Sequence, residues 1–232
     1  MTNYKKILNI ALPAMAENFL QMLMGVVDSY LVASLGLVAI SGVSVAGNII
    51  SIYQAIFIAL GVAVSSLISK SLGEGDRDNL AYHTSEAIKL TMLVSMFLGF
   101  LSLVFGRRIL AWLGTEPAVA NAGGLYLALI GGMILLLGLM TTLGSLIRAT
   151  SNPRMPMYVS FLSNLLNVLF SSLAIFIFHM GIVGVALGTI LARLVGVLIL
   201  WKELSLPLVP WSWRLDWDLL RLSLPAAGER LM

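Results

Sequence analysis

The chain has 232 residues, 59% of them hydrophobic and 11% charged, with a mean hydropathy of +0.97. Soluble domains carry about 25% charged residues, so this composition excludes a soluble fold and marks an integral membrane protein. The net charge of +3 is explained by basic residues at helix ends and implies no nucleic-acid partner, and the lack of cysteine excludes disulfides, thiolate metal sites and thiol nucleophiles.

A short polar start with Lys5 and Lys6 leads into the first predicted span, Ala11 to Leu35. A bilayer core about 30 Å thick needs roughly 20 apolar residues as a helix, and this stretch suffices. It is too long for a signal-peptide core and lacks a small-residue cleavage site, so it reads as retained. Pro13 is expected in its first turns, where amides have no intrahelical partner anyway. Two carboxylates, Glu17 and Asp28, lie eleven residues apart. At about 100° per residue that nearly closes three turns, so they share a face with Gln21, and Asn18 lies beside it. A charge at membrane depth costs at least about 2.5 kcal/mol. Such an acid needs water, a partner or a proton. Asp28 reads either as an ion-coupling group or as a structural acid paired with a buried Arg. Glu17 lies near the start of the span, where a headgroup-level or gate-lining role competes with ion binding.

Ser34 to Ala39 is a short uncharged connection, and the second span runs from about Ile40 to Ser71. Ser41, Ser44, Asn48 and Ser51 repeat at three and four residues, again one helical face. The loop GEGDRDN at 73–79 is the most polar in the chain. The third span is about Leu80 to Gly106, followed by Arg107 and Arg108. Ile109 to Ala120, broken by Gly114 and Pro117, is expected as a short segment near the surface.

The fourth span is about Gly123 to Arg148, and ATSNPRMP at 149–156 is a turn by composition. In the fifth span, Met157 to His179, Ser160, Asn164, Asn167 and Ser171 form one narrow polar stripe. In the sixth, Gly181 to Trp201, Gly184, Gly188, Ala192 and Gly196 recur every four residues. Such a ridge lets a neighbouring backbone approach closely, and helix packing is its main reading. Thr189 and Arg193 lie beside it, one turn apart. The remainder, with Trp201, Trp211, Trp213 and Trp217, suits a membrane interface. Six spans put both termini on one side, and most Lys and Arg residues lie there too. By the positive-inside rule that side is cytoplasmic.

The last residues, LRLSLPAAGERLM at 220–232, resemble the start of the first span, ILNIALPAMAENFL at 7–20. Pro13 aligns with Pro225 and Glu17 with Glu229 at a constant offset of 212 residues. An even number of spans makes a parallel repeat about the membrane normal. The chain therefore divides into a six-helix lobe at 1–202, an inter-lobe linker at 203–217 and the start of a second-lobe repeat at 218–232. It is expected to be the N-terminal half of a protein of about twice the length, whose second lobe is its partner.

Three helices each carry a polar face, and together they could line a cavity. Transporters place substrate and ion sites where such groups converge. Burial disfavours the ionised form of a carboxyl group, so Asp28 could take up a proton or cation and release it elsewhere. Asn164, Asn167 and Thr189 are candidates to hydrogen-bond the acid or to supply oxygens to Na⁺.

The stretches LPAMAENFLQMLMGVVDSYLVASLG at 12–36, SLGEGDRDN at 71–79, IRATSNPRMPMYVSFLSNLLN at 147–167 and GIVGVALGT at 181–189 carry a resemblance. In order, they are similar to the N-terminal lobe of multidrug and toxic compound extrusion (MATE) transporters, DinF-like branch. The resemblance implies an all-α membrane protein, a six-transmembrane-helix bundle that is one lobe of a twelve-helix, two-lobe fold. It implies an antiporter of the plasma membrane, not an enzyme, that exports cationic or amphipathic compounds by alternating access. No cofactor is implied beyond a coupling H⁺ or Na⁺, and no bound metal beyond Na⁺ at Asp28. Asp28 stands at the family's coupling position, and Asn167 and Thr189 match residues that join it in some branches. Ser171 stands where those branches have a second Asp, which leaves Asp28 as the main titrating group. Gln21, Asn48, Asn164, Ser171 and Glu17 are the candidates to line the cavity or meet the substrate.

Three rivals remain. A lipid-linked precursor flippase should have a cavity rich in Arg and Lys, whereas Arg193 is the only basic residue deep in a span. An intramembrane aspartyl protease would use GEGD at 73–76, but a solvated turn explains that motif better, and His83 and His179 show no metal or Ser-His pattern. A non-transporting half-lobe would pair with itself or a partner.

Overall fold

In the computed structural model, residues 3–150 and 153–209 are described, with side chains from residue 11 onward except Gln21. They form seven helices: α1 (Asn3–Ala33), α2 (Leu37–Glu74), α3 (Arg77–Trp112), α4 (Pro117–Gly132), α5 (Ile134–Thr150), α6 (Met155–Phe176) and α7 (Gly181–Glu203). The described part of the linker is 203–209; the remaining linker and the repeat at 218–232 lie outside the described residues, as do Trp211, Trp213 and Trp217.

The helices run further than the apolar stretches do. The first begins at Asn3, so Pro13 lies in the helix interior and not in its first turns. It removes one rung of the α1 hydrogen-bond ladder, because proline has no amide proton to donate. The third helix continues to Trp112, and Leu110 is fully buried. The stretch 109–120 is therefore not a separate segment, although residues 111–114 and 116–118 are exposed. Its first residues complete α3, Gly114 turns the chain at φ 79°, and Pro117 sits in the first turn of α4.

The GEGD motif is a pair of helix ends. Gly75 adopts φ 70° and its amide bonds the Leu72 carbonyl, closing α2. Asp76 opens α3: its carboxylate accepts from the Asn79 amide at 3.0 Å and from the Asn79 side chain at 2.8 Å. That spends the carboxylate on capping. Asp76→Ala is expected to cost about 1 kcal/mol of stability, as N-cap losses do, and Asp76→Asn much less. Thermal unfolding in detergent reads both.

The fourth predicted span is two helices, α4 and α5, bent by 46° at Met133 after the Gly131–Gly132 pair. They have 16 and 17 residues, or about 25 Å each at 1.5 Å per residue. α2, α3, α6 and α7 are long and apolar enough to cross a bilayer, and the bent pair passes the same test when counted as one span. The 31-residue α1 stands beside α6 as the sixth rod of the lobe. Large apolar side chains such as Phe97, Phe100 and Phe161 point outward, as lipid-facing residues do.

Close backbone approach holds the rods together. A Cβ on Gly42 of α2 would lie 2.6 Å from the Gly123 nitrogen of α4. The ridge on α7 faces α6: a Cβ on Gly184 would lie 2.8 Å from the Ala174 side chain, and one on Gly188 2.7 Å from the Ser171 nitrogen. Backbone cannot yield as a side chain can, so Gly188→Ala should cost about 1–3 kcal/mol through overpacking, read as a lowered unfolding midpoint.

Two contacts fix the faces. Glu17, near the middle of α1, pairs with Arg148 at the end of α5, and the Val209 amide donates to the Ser85 hydroxyl of α3 at 2.8 Å. The middle of α1 therefore meets the end of α5, and the segment after α7 meets the first turns of α3.

Candidate functional site

Asp28 is 3% exposed. It sits five residues before the end of α1, about 8 Å from that end. The site thus lies beyond the midpoint of α1, eleven residues past the Glu17–Arg148 pair. Three helices bring it donors. Asn167 of α6 donates its side-chain amide to Oδ1 at 3.0 Å, Thr189 of α7 donates its hydroxyl to Oδ2 at 2.8 Å, and Tyr126 of α4 donates its phenol to Oδ2 at 3.3 Å. All three donors are neutral, and no ion pair reaches Asp28 among the described residues.

The donors are themselves held. The Asn167 amide also donates to Thr189 Oγ1 at 2.9 Å and approaches Ser171 Oγ at 3.4 Å. The Thr189 hydroxyl lies 3.0 Å from the Val185 carbonyl as well. It has one proton and two acceptors in reach, so it can serve both states of the acid. With Asp28 ionised, the proton goes to the carboxylate. With Asp28 protonated, the carboxyl donates to Thr189 Oγ1, and the hydroxyl turns its proton to Val185. Asn167 Oδ1 is buried with no partner. Turning that amide over would present an acceptor to Asp28, which suits a protonated acid or a cation between them.

Asp28 opens onto a cavity of about 740 Å³ between α1, α2, α4 and α7. Asn18, Ser29, Ser44, Asn48, Ser51 and Gln54 give it polar walls, and Met22, Val26 and Ile58 apolar ones. Tyr126 and Arg193 line it too. A second cavity of about 240 Å³ is lined by Glu17, Arg148 and Ser145, among others. There Arg148 binds Glu17 and donates to Ser145 Oγ at 2.9 Å.

The structure therefore brings Asp28, Asn167, Thr189 and Ser171 into one cluster and places Asn48 on the cavity wall. Ser171 is buried behind the cluster and does not line the cavity. Asn164 lines neither cavity; its amide donates to the Ser160 carbonyl at 2.8 Å. Glu17 faces the smaller cavity and is paired with an arginine, the structural role considered for Asp28. The Gln21 side chain lies outside the described residues. Among the described residues no cluster of His, Asp or Glu could hold a metal through three such ligands. Sequence reasoning missed Tyr126, Arg148 and the cavity position of Arg193. A lone phenol in the apolar run GGLYLALIGG was the available signal, since a buried hydroxyl needs a partner.

Fold and site together define a membrane-embedded six-helix lobe of a two-lobe transporter architecture. Residues 13–173 match the MatE family model, and the chain belongs to that family. It is 28% identical over 240 residues to the probable multidrug resistance protein NorM of Thermotoga maritima, covering 98% of this chain and 52% of that protein. It is 25% identical to the probable multidrug resistance protein YpnP of Bacillus subtilis, over 98% of this chain and 53% of that one. A crystal structure of MATE in the bent conformation shares the fold with a TM-score of 0.91 at 18% identity, over 98% of this chain and 53% of the other. A MOP superfamily transporter from Pyrococcus furiosus gives a TM-score of 0.86 at 19% identity, over 97% and 52%. The chain spans about half the length of the relatives it matches.

Proposed function

We propose that the chain is the N-terminal lobe of an ion-coupled exporter of amphipathic compounds, with Asp28 as the coupling group. The carrying observation is an acid 3% exposed, held by three neutral donors and facing a drug-sized cavity. A fixed basic partner would keep the acid charged; neutral donors leave it able to exchange a proton. Asn167 and Thr189 serve it in both states, and their oxygens would complete a Na⁺ site of hard ligands. The names of the relatives support multidrug export. Alternating access then requires a second lobe facing the cavity, and the protein resides in the plasma membrane with its N-terminus in the cytoplasm. The test is efflux of a fluorescent drug from proteoliposomes holding the two-lobe transporter, with a pH or a sodium gradient imposed alone. Acceleration by one gradient supports the reading and names the ion; indifference to both removes it.

A further inference from the structure

Arg193 is the only cation on the wall of the larger cavity among the described residues. It stands one turn beyond Thr189 on α7. Its charge interacts with Asp28 and with Tyr126 across the same space, although no ion pair joins it to the acid. The charges of the neighbouring smaller cavity cancel, because Glu17 and Arg148 are paired there. From α2 the wall receives only neutral groups, at Ser44, Asn48, Ser51 and Gln54, and from α4 the Tyr126 phenol. From α6 the acid meets the neutral Asn167 amide. The wall therefore has two charge states. With Asp28 ionised, its charge and that of Arg193 sum to zero. With a proton or Na⁺ on Asp28, Arg193 is unopposed and the wall is net positive. The apolar lining, at Met22, Val26 and Ile58, is the same in both states. Burial against it holds an amphiphile whichever state the acid is in. Neutralising Asp28 alone would thus loosen a cationic amphiphile without clearing it from the chamber.

We propose that Arg193 is the release residue for a cationic amphiphile: a fixed positive charge that expels the exported cation once the coupling ion has neutralised Asp28. This rests on the cavity being the substrate chamber and on Asp28 being the coupling group. With Asp28 ionised, the cation enters a wall without net charge and binds through the apolar lining. When H⁺ or Na⁺ reaches Asp28, the attraction of the acid is gone and the repulsion of Arg193 remains. Coupling ion and substrate then oppose each other, as exchange requires, and each lowers the other's affinity by the same factor. Arg193 adds the same repulsion in both states. Its part is to set the level, so that the loaded state is weak enough to exchange and the neutralised state lets the cation go.

Tetraphenylphosphonium, a cation, and triphenylphosphine oxide, a neutral compound with the same aryl groups, separate charge from shape. Binding of each to the two-lobe transporter in lipid nanodiscs is read by equilibrium dialysis against empty nanodiscs. Arg193→Met should tighten the cation about tenfold, the scale of a unit charge about 10 Å away at a protein site's effective dielectric. The neutral compound should bind it as it binds wild type. Arg193→Gln, which also removes the charge, should match Arg193→Met, so a packing fault peculiar to methionine does not decide the result. Arg193→Lys should behave as wild type. Asp28→Asn should weaken the cation, and adding Arg193→Met should return it to the wild-type value, because both walls then sum to zero. In efflux, Arg193→Met should lower kcat and KM together while keeping the ion requirement, since release is slowed. Weakening of both compounds in Arg193→Met and Arg193→Gln would mark a merely structural arginine and overturn the proposal. So would an unchanged affinity for the cation, or a tightening shared by the neutral compound. If wild type takes neither compound, the chamber reading falls first, and if Asp28→Asn binds the cation as wild type does, the coupling reading falls; either removes the release role with it.

Discussion

Export driven by an ion gradient is expected to stop in the two-lobe transporter when Asp28 is replaced by asparagine. The substitution keeps the side chain's shape and an oxygen for Thr189 and Tyr126 to meet, so the helices should assemble as before. It removes the proton or cation that the site can exchange. Without that exchange, nothing links the direction of the gradient to the direction of the cavity. No ion pair reaches Asp28, so the substitution breaks none and the unfolding midpoint should hold. The measurement pairs efflux from proteoliposomes with thermal unfolding of the same sample. Wild-type efflux by Asp28→Asn would end the coupling assignment; lost efflux together with lost folding would show only damage.

The second large effect lies near the middle of α1. Arg148→Leu leaves Glu17, 3% exposed, without its cation. Breaking a buried pair from one side costs about 3 kcal/mol or more, because the remaining charge is neither solvated nor matched. The double substitution Glu17→Leu with Arg148→Leu should recover most of that loss, since two apolar groups can replace a buried pair at little cost. Unfolding midpoints of the single and double variants test this directly. A single variant no less stable than the double would mean the two side chains act independently. The pair also ties α1 to α5, so the double variant, stable but untied, separates stability from the tie itself.

The membrane class was legible because hydropathy over twenty residues is a strong signal, and the six rods follow from it. Helix ends were less legible: α2 and α3 run through polar residues such as Lys70 and Arg77 that end an apolar window without ending a helix. The break at Met133 was hidden because α4 and α5 are equally apolar, and only the Gly131–Gly132 pair hinted at it. For the site, helical periodicity put Asn167 and Ser171 on one face, but nothing in one helix says which neighbour that face meets. The contact with Asp28 spans 139 residues of sequence. Its assignment came from family likeness, and the geometry is new information. Tyr126 and Arg148 illustrate the same limit: each is a partner chosen by packing between helices, a quantity absent from any single stretch.

The bend between α4 and α5 has a consequence for biogenesis. A rod of about 25 Å falls short of a hydrocarbon layer of about 30 Å, so each segment alone is a poor fit to the bilayer. Read as one broken span, the two are expected to leave the insertion machinery as one apolar unit. A charged substitution at Gly131 or Gly132 would therefore strike before folding begins, as a crossing that never forms, and a glycosylation-site map of the nascent chain would reveal it as inverted downstream topology.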